Sequence, residues 1–139
     1  MFLLDTNVVS ELRKASAGKA DPRVVVWAQS HPASSQFVSV VTMMELELGV
    51  LQMERKDVAQ GAVLRVWLER HVLPTFLDRV LPIDLVVARR CATLHVPNPT
   101  SERDALIAAT ALVHGMPIVT RNAKDFEHTG VVVINPWAL

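Results

Sequence analysis

Four acidic residues in this 139-residue chain stand where a carboxylate could do chemistry. Asp5 ends the apolar run Met1 to Leu4 abruptly, and Glu45 follows the apolar segment around Val38 to Val41. Asp104 opens the apolar stretch Ala105 to Val113, and Asp125, with Asn122, comes just after Ile118 to Thr120. Carboxylates gathered together repel, raise one another's pKa and destabilise a fold unless a cation lies among them. An oxygen-only donor set suits hard Mg²⁺, or Mn²⁺. Zinc would find little to hold here, since Cys91 is the lone cysteine. His31, His71, His95, His114 and His128 are scattered without ligand spacing. A carboxylate-bound Mg²⁺ at the open edge of a sheet is equipped for phosphate-ester hydrolysis.

Each acid also has a plain structural explanation. Thr42-Met43-Met44-Glu45 fits a capping box, and Ser101-Glu102-Arg103-Asp104 has the same geometry with Asp in the last place. Asp5 could cap a helix over Asn7 to Lys14, and Asp125 could stabilise a turn. Rival phosphate sites are weaker. The five glycines are dispersed and form neither a Gly-x-Gly-x-x-Gly loop nor a Walker loop. An Asp-x-Asp phosphatase would need an acid where Asn7 stands, and no serine sits in a nucleophile elbow.

The elements that must position these acids alternate in type. Met1 to Leu4, Gln36 to Val41, Val80 to Ile83, Ile118 to Thr120 and Val131 to Ile134 read as short buried strands. Helical spacing is expected over Asn7 to Lys14, then from an Asp21-Pro22 start to about Ser30, and over Thr42 to Lys56. Further helices are expected from Val58 to about Val80, bent or broken at Pro74, from Asp84 to Leu94, and over the buried Ala105 to Val113. Ala15 to Ala20 and Arg121 to Asp125 read as a loop and a turn. Alternating strands and helices imply an α/β fold, a mainly parallel central sheet flanked by helices. No linker or repeat divides residues 1–139, so one domain is expected. In such sheets ligands bind beyond the carboxyl ends of the strands, where the strand order reverses. Asp5, Glu45, Asp104 and Asp125 could all converge there.

Composition agrees with a globular protein: 50% hydrophobic residues, 20% charged, and a mean hydropathy of +0.28. Disorder, collagen-like repeats, coiled coil and a disulfide scaffold are excluded. The longest charge-free stretch, Val24 to Met44, contains Gln29, His31, Pro32 and four serines, which no spanning helix would carry. Only three apolar residues separate Met1 from Asp5, too few for a signal-peptide core, so a cytoplasmic protein is expected. Lys plus Arg balance Asp plus Glu at 14 each. With four acids held in a pocket, the remaining surface carries a surplus of four positive charges.

Taken in order, the motifs resemble those of PIN-domain ribonucleases, in particular the VapC and FitB-like toxins of type II toxin–antitoxin pairs. The matching pieces are Leu3-Leu4-Asp5-Thr6-Asn7-Val8-Val9-Ser10-Glu11, Glu45-Leu46-Glu47-Leu48-Gly49, Arg103-Asp104-Ala105-Leu106-Ile107-Ala108-Ala109-Thr110 and Val119-Thr120-Arg121-Asn122-Ala123-Lys124-Asp125-Phe126. Asn135-Pro136-Trp137 at the end is similar to the FitB-like branch. The resemblance implies a PIN-like domain and a Mg²⁺-dependent endoribonuclease leaving 5′-phosphate and 3′-hydroxyl ends. It places Asp5 and Asp104 as principal metal ligands and Glu45 as the third acid. Either Asn122 or Asp125 completes the site. Thr6, Asn7, Ser39, Thr120 and Arg121 fall where ligands or phosphate are oriented.

A basic approach for RNA is expected from Arg13, Lys14, Lys19, Arg103, Arg121 and Lys124. The resemblance also implies a homodimer held inactive by a VapB/FitA-like antitoxin, which carries the contact with operator DNA. Two other classes fit the same residues: a metal-dependent hydrolase of a small phosphate compound, and a catalytically silent partner of a DNA-binding regulator.

Overall fold

A computed structural model describes residues 1–139. Five short strands form one parallel sheet: β1 (Phe2–Leu4), β2 (Gln36–Ser39), β3 (Val80–Leu81), β4 (Ile118–Val119) and β5 (Val133–Ile134). They lie in the order β3-β2-β1-β4-β5, so the chain builds outward from β1 on one side and then on the other. Leu3 pairs with Phe37 and Ile118, and Leu4 with Val119. Because successive side chains alternate faces, Leu4, Val38 and Val119 enter one core while Leu3 and Ile118 enter the other. A strand apolar on both faces is what the centre of a parallel sheet requires.

Helices cover both faces. The core around Leu4 is closed by α1 (Thr6–Arg13), α2 (Pro22–Gln29), α3 (Val40–Lys56) and the helical stretch from Val58 to Phe76, through Val8, Val24, Trp27, Leu46 and Leu68. The core around Leu3 is closed by α7 (Glu102–Val113), with Ile107, Ala108 and Phe126. Behind α7 lies α6 (Leu85–Leu94), capped by Asp84, with Val87 and Cys91 against Ala105 and Ala109. No helix is long and apolar enough to cross a membrane.

Several boundaries differ from the sequence expectation. The segment Gln36 to Val41 leaves the sheet at Ser39, whose hydroxyl accepts the Val41 N–H and starts α3 two residues before Thr42. Lys14–Ala17 is a 3-10 turn rather than open loop, ending at Gly18 in the left-handed region (φ 67°). The stretch after Asn122 likewise winds into a 3-10 segment, Ala123–Thr129. The long helical pattern after Val58 is not broken at Pro74 and ends at Phe76. It runs through α4 (Val58–Trp67), a wide turn over Leu68–Val72 and α5 (Leu73–Phe76). There the Leu73 N–H reaches back five residues to Leu68, which makes room for the ring of Pro74.

Candidate active site

The order reversal at β1 decides where the chemistry can sit. The chain passes from β1 to β2 on one side and from β4 to β5 on the other, leaving a crevice at the carboxyl ends of the parallel β1 and β4. Asp5 and Thr120 are the first residues beyond those two strands, and their backbones stay in the ladder: Asp5 N–H donates to Val119 and Thr120 N–H to Ile134. The Thr120 hydroxyl donates to Asp5 Oδ2 at 2.7 Å. Asn7 Nδ2 donates to the same oxygen, while Asp5 Oδ1 accepts the Thr6 N–H at 2.8 Å and so caps α1. The capping role and the site role of Asp5 coexist, one oxygen largely serving each.

Glu45 arrives from α3. Because that helix is capped by Ser39, Glu45 lies in its second turn and no capping box forms at Thr42. Thr42 and Glu45, three residues apart, share one helical face toward α1. The Thr6 hydroxyl donates to Glu45 Oε1 at 2.7 Å and lies 3.1 Å from the buried Thr42 hydroxyl. Arg103 approaches Glu45 Oε2 at 3.6 Å. Asp104 stands in the first turn of α7, where the helix dipole favours an acid. Its partner in the expected capping geometry, Ser101, makes no side-chain cap bond.

Together these segments enclose a cavity of about 460 Å³, lined by Asp5, Thr6, Asn7, Glu45, Asp104, Arg121 and Asn122 among others. Burial raises the Asp5 carboxyl above its ordinary range, against hydrogen bonds from Thr120 and Thr6 that lower it, and the charges of Glu45 and Asp125 raise it further. Burial raises Asp104 too, followed by the charges of Asp5, Asp125 and Glu45, with the Ser101 side chain pulling the other way. All four acids therefore share one electric field. They do not form a finished cage, since no three acidic, thiol or imidazole groups are set at metal-holding geometry. The donor chemistry fits a hard divalent ion: oxygen ligands only, with the neighbouring acidic charges raising Asp5 and Asp104.

Asn122 lines the cavity, whereas Asp125 stands outside its lining and acts on Asp5 and Asp104 through its charge. Asn122 is tied in by its backbone, N–H to Thr120 Oγ1 at 3.0 Å. Thr120 is fully buried and orients Asp5 rather than facing the cavity. Ser39 does not belong with the orienting residues. It is fully buried, its hydroxyl is used to cap α3, and it lies outside the cavity lining.

Residues the sequence reading passed over also border the site. Ser10, Glu11 and Trp137 line the cavity, and Thr42 supports Glu45 through Thr6. The signal for Ser10 and Glu11 was present, since Asn7, Ser10, Glu11 and Lys14 form a polar stripe at helical spacing opposite Val8, Val9 and Leu12. A second cavity of similar volume, lined by Pro22, Val26, Trp27 and Leu139 among others, carries none of the four acids.

Residues 2–132 match the PIN domain family model. The chain belongs to the PIN domain family. Among PIN proteins it is 38% identical to the VapC ribonuclease Y4jK of Sinorhizobium fredii, over 99% of this chain and 98% of that protein. It is 37% identical to the toxin FitB of Neisseria gonorrhoeae, over 99% of each. The crystal structure of FitAcB from Neisseria gonorrhoeae superposes with a TM-score of 0.89 at 35% identity, covering 100% of both chains. The PIN fold expected from the sequence is thus the fold observed.

Proposed function

We propose that this chain is the toxin of a type II toxin–antitoxin pair, an endoribonuclease that hydrolyses RNA phosphodiesters with the help of a divalent cation. One observation carries the reading: Asp5, Glu45 and Asp104, from three separate segments, line the switch-point crevice of a PIN fold, with the charge of Asp125 acting on Asp5 and Asp104 from just outside, and that fold aligns end to end with a VapC ribonuclease and with FitB. Asp5, Asp104 and Glu45 are the residues that would hold Mg²⁺, or Mn²⁺, with Asn122 or Asp125 completing the set. The ion supplies charge neutralisation at the scissile phosphate and makes water more acidic.

The chain's own residues do the rest. Thr120 and Asn7 fix Asp5, so its carboxylate enters the reaction in one orientation. Glu45, steadied on one oxygen by Thr6, takes the proton of the attacking water. Water attacks phosphorus in line, the bond to the 3′-oxygen breaks, and the products carry 5′-phosphate and 3′-hydroxyl ends. Arg121, at the rim, meets phosphate charge. A cognate antitoxin is the expected inhibitor and the carrier of operator-DNA binding, a reading supported by the likeness to FitAB, solved bound to a DNA fragment. A homodimer in the cytoplasm is part of the same reading.

The test is to incubate purified chain with structured RNA, in Mg²⁺ or in EDTA, beside Asp5→Asn. Cleavage confined to the unmodified chain in Mg²⁺ is expected. Cleavage that persists in EDTA or in Asp5→Asn sinks the mechanism. Binding to an antitoxin without any cleavage in Mg²⁺ or Mn²⁺ would identify a silent partner instead.

A further inference from the structure

The cations around the acidic cavity are not equivalent. Lys14 is committed to Glu11 at 2.9 Å, and Arg103 leans on Glu45. Arg13 and Arg121, which both line the cavity, take part in none of the chain's ion pairs. Each lies across a tryptophan instead: the Arg13 guanidinium is 5.9 Å from the Trp67 ring centroid, and that of Arg121 is 5.5 Å from Trp137. Arg79 over Phe76 provides the contrast, because its guanidinium donates to the carbonyls of Gln36 and Thr75.

The distinction has a chemical meaning. An arginine held by a carboxylate has its charge neutralised and its N–H fork occupied. An arginine resting on an aromatic face keeps its full charge, and its donors radiate in the plane, free for a bidentate partner. Each shelf is itself anchored. Trp137 is buried among the core residues around Leu4. Its backbone N–H donates to Asn135 Oδ1, Asn135 Nδ2 donates to the Arg121 carbonyl, and the Arg121 backbone N–H donates to Asn7 Oδ1. Residues 135–137, which form this clamp, lie beyond the stretch matched by the family model. Trp67 is half-buried against the same core from α4.

We propose that Arg13 and Arg121 are two phosphate-binding arms for the RNA strand, holding phosphates that flank the scissile one, with Trp67 and Trp137 as the positioning residues beneath them. The proposal rests on the ribonuclease reading. A strand entering an acidic cavity needs unneutralised cations at its edge, and these are the two lining arginines that remain unpaired.

Binding of a labelled structured RNA to the Asp5→Asn protein, across about 50 to 200 mM salt, separates the possibilities. Arg13→Ala and Arg121→Ala, both at exposed positions, are each expected to weaken Kd about tenfold. Each should also lower the slope of log K against log salt by about 0.7. Arg→Lys should restore the slope but not the full affinity, because the planar fork is gone. Trp137→Leu should weaken binding as Arg121→Ala does and add nothing in the Arg121→Ala background, while Trp137→Phe keeps the shelf; the Trp67–Arg13 pair should behave alike. Unchanged affinity and slope in both arginine variants overturn the proposal, as does weakening without a change of slope. An additive loss from Trp137→Leu overturns the positioning role. If the starting protein binds no RNA at all, the ribonuclease reading itself fails.

Discussion

The Thr120 hydroxyl donates to Asp5 Oδ2 at 2.7 Å, joining the ends of the two strands that flank the switch point. The same hydroxyl oxygen accepts the Asn122 N–H, so one buried side chain sets both Asp5 and the turn that carries Asn122. Thr120→Val keeps the shape and deletes both bonds, together with a third that the hydroxyl accepts from Asn7 Nδ2 at 3.3 Å. It should cost about 1 to 3 kcal/mol of stability, and about 10- to 100-fold in cleavage rate as the carboxylate loses its orientation. The Thr120 bond lowers the Asp5 pKa, so its removal raises that pKa and the acid limb of the pH–rate profile should move to higher pH. Thr120→Ser should behave nearly as the unmodified chain. A Thr120→Val profile with an unmoved acid limb would show that Asp5 does not depend on this bond.

Asp104 separates stability from activity. Its carboxyl is raised above the ordinary value of 3.8 by burial first and by Asp5, Asp125 and Glu45 after it. A raised carboxyl means that the folded state binds the proton more tightly than the unfolded state. Its contribution to the metal-free fold is therefore complete below the ordinary carboxylate pKa and is lost as pH rises through the raised value. Asp104→Asn should accordingly raise the melting temperature of the metal-free protein at neutral pH while abolishing cleavage. For the unmodified chain, Mg²⁺ at a hundredfold excess over Kd should add about 2.7 kcal/mol, and Asp104→Asn should respond far less. Thermal scans in EDTA and in Mg²⁺ decide it. A lower melting point for Asp104→Asn in EDTA would mean that the acids are not in conflict.

These outcomes turn on residues of unequal visibility in the sequence. Asp5 and the strand ends were legible because a buried strand stops where its first polar residue appears, and parallel sheets put such residues on one edge, whereas Asp104 was marked by its place at the start of an apolar helix. Asp21-Pro22 and Asp84 announced their helices by capping chemistry that depends only on neighbours. Ser39 misled for the converse reason. A serine before Val40-Val41 reads as strand by propensity, yet its hydroxyl reaches Val41 N–H and begins a helix. That two-residue shift also removes the capping box that Thr42 and Glu45 could have formed. Asn135 and Trp137 were not legible as site residues, because their contacts with Arg121 cross from the chain's end to the turn after β4. The choice between Asn122 and Asp125 depends on which side chain faces the cavity, and no spacing rule encodes that.

Gly61 sets how closely α4 packs on α3, the helix that presents Glu45. A Cβ at position 61 would lie 2.4 Å from Glu54 Cα and 2.7 Å from Glu54 N, both backbone atoms that cannot swing aside. Arg65, one turn further on, ties the same helices by donating to Glu54 and Glu47. Gly61→Ala must push the pair apart. It should cost about 3 kcal/mol or more, at or above the upper end for overpacking, because the obstruction is main chain. The measurement is the denaturation midpoint. A midpoint within 0.5 kcal/mol of the unmodified chain, at about the ordinary scatter of surface substitutions, would show that the interface has slack.

Glu11 lines the cavity, yet its bonds point to structure. Its carboxylate accepts the Asp21 N–H at 2.8 Å and pairs with Lys14 at 2.9 Å, joining α1 to the start of α2. The Asp21 N–H first, and then the Lys14 side chain, hold its carboxyl below the ordinary 4.5. A depressed carboxyl stabilises the fold when ionised, so this contribution is present above about pH 4.5 and fades as pH falls through the lowered value. Glu11→Ala leaves a backbone donor without its partner and should cost about 1 kcal/mol at neutral pH. Glu11→Gln retains an acceptor for Asp21 and should cost less. Because the carboxylate itself is the stabilising form, the gap between Glu11→Ala and the unmodified chain should shrink in acid. Urea midpoints at pH 7 and near pH 3 check this. A gap that stays constant would assign the effect to packing of the side-chain stem rather than to its charge.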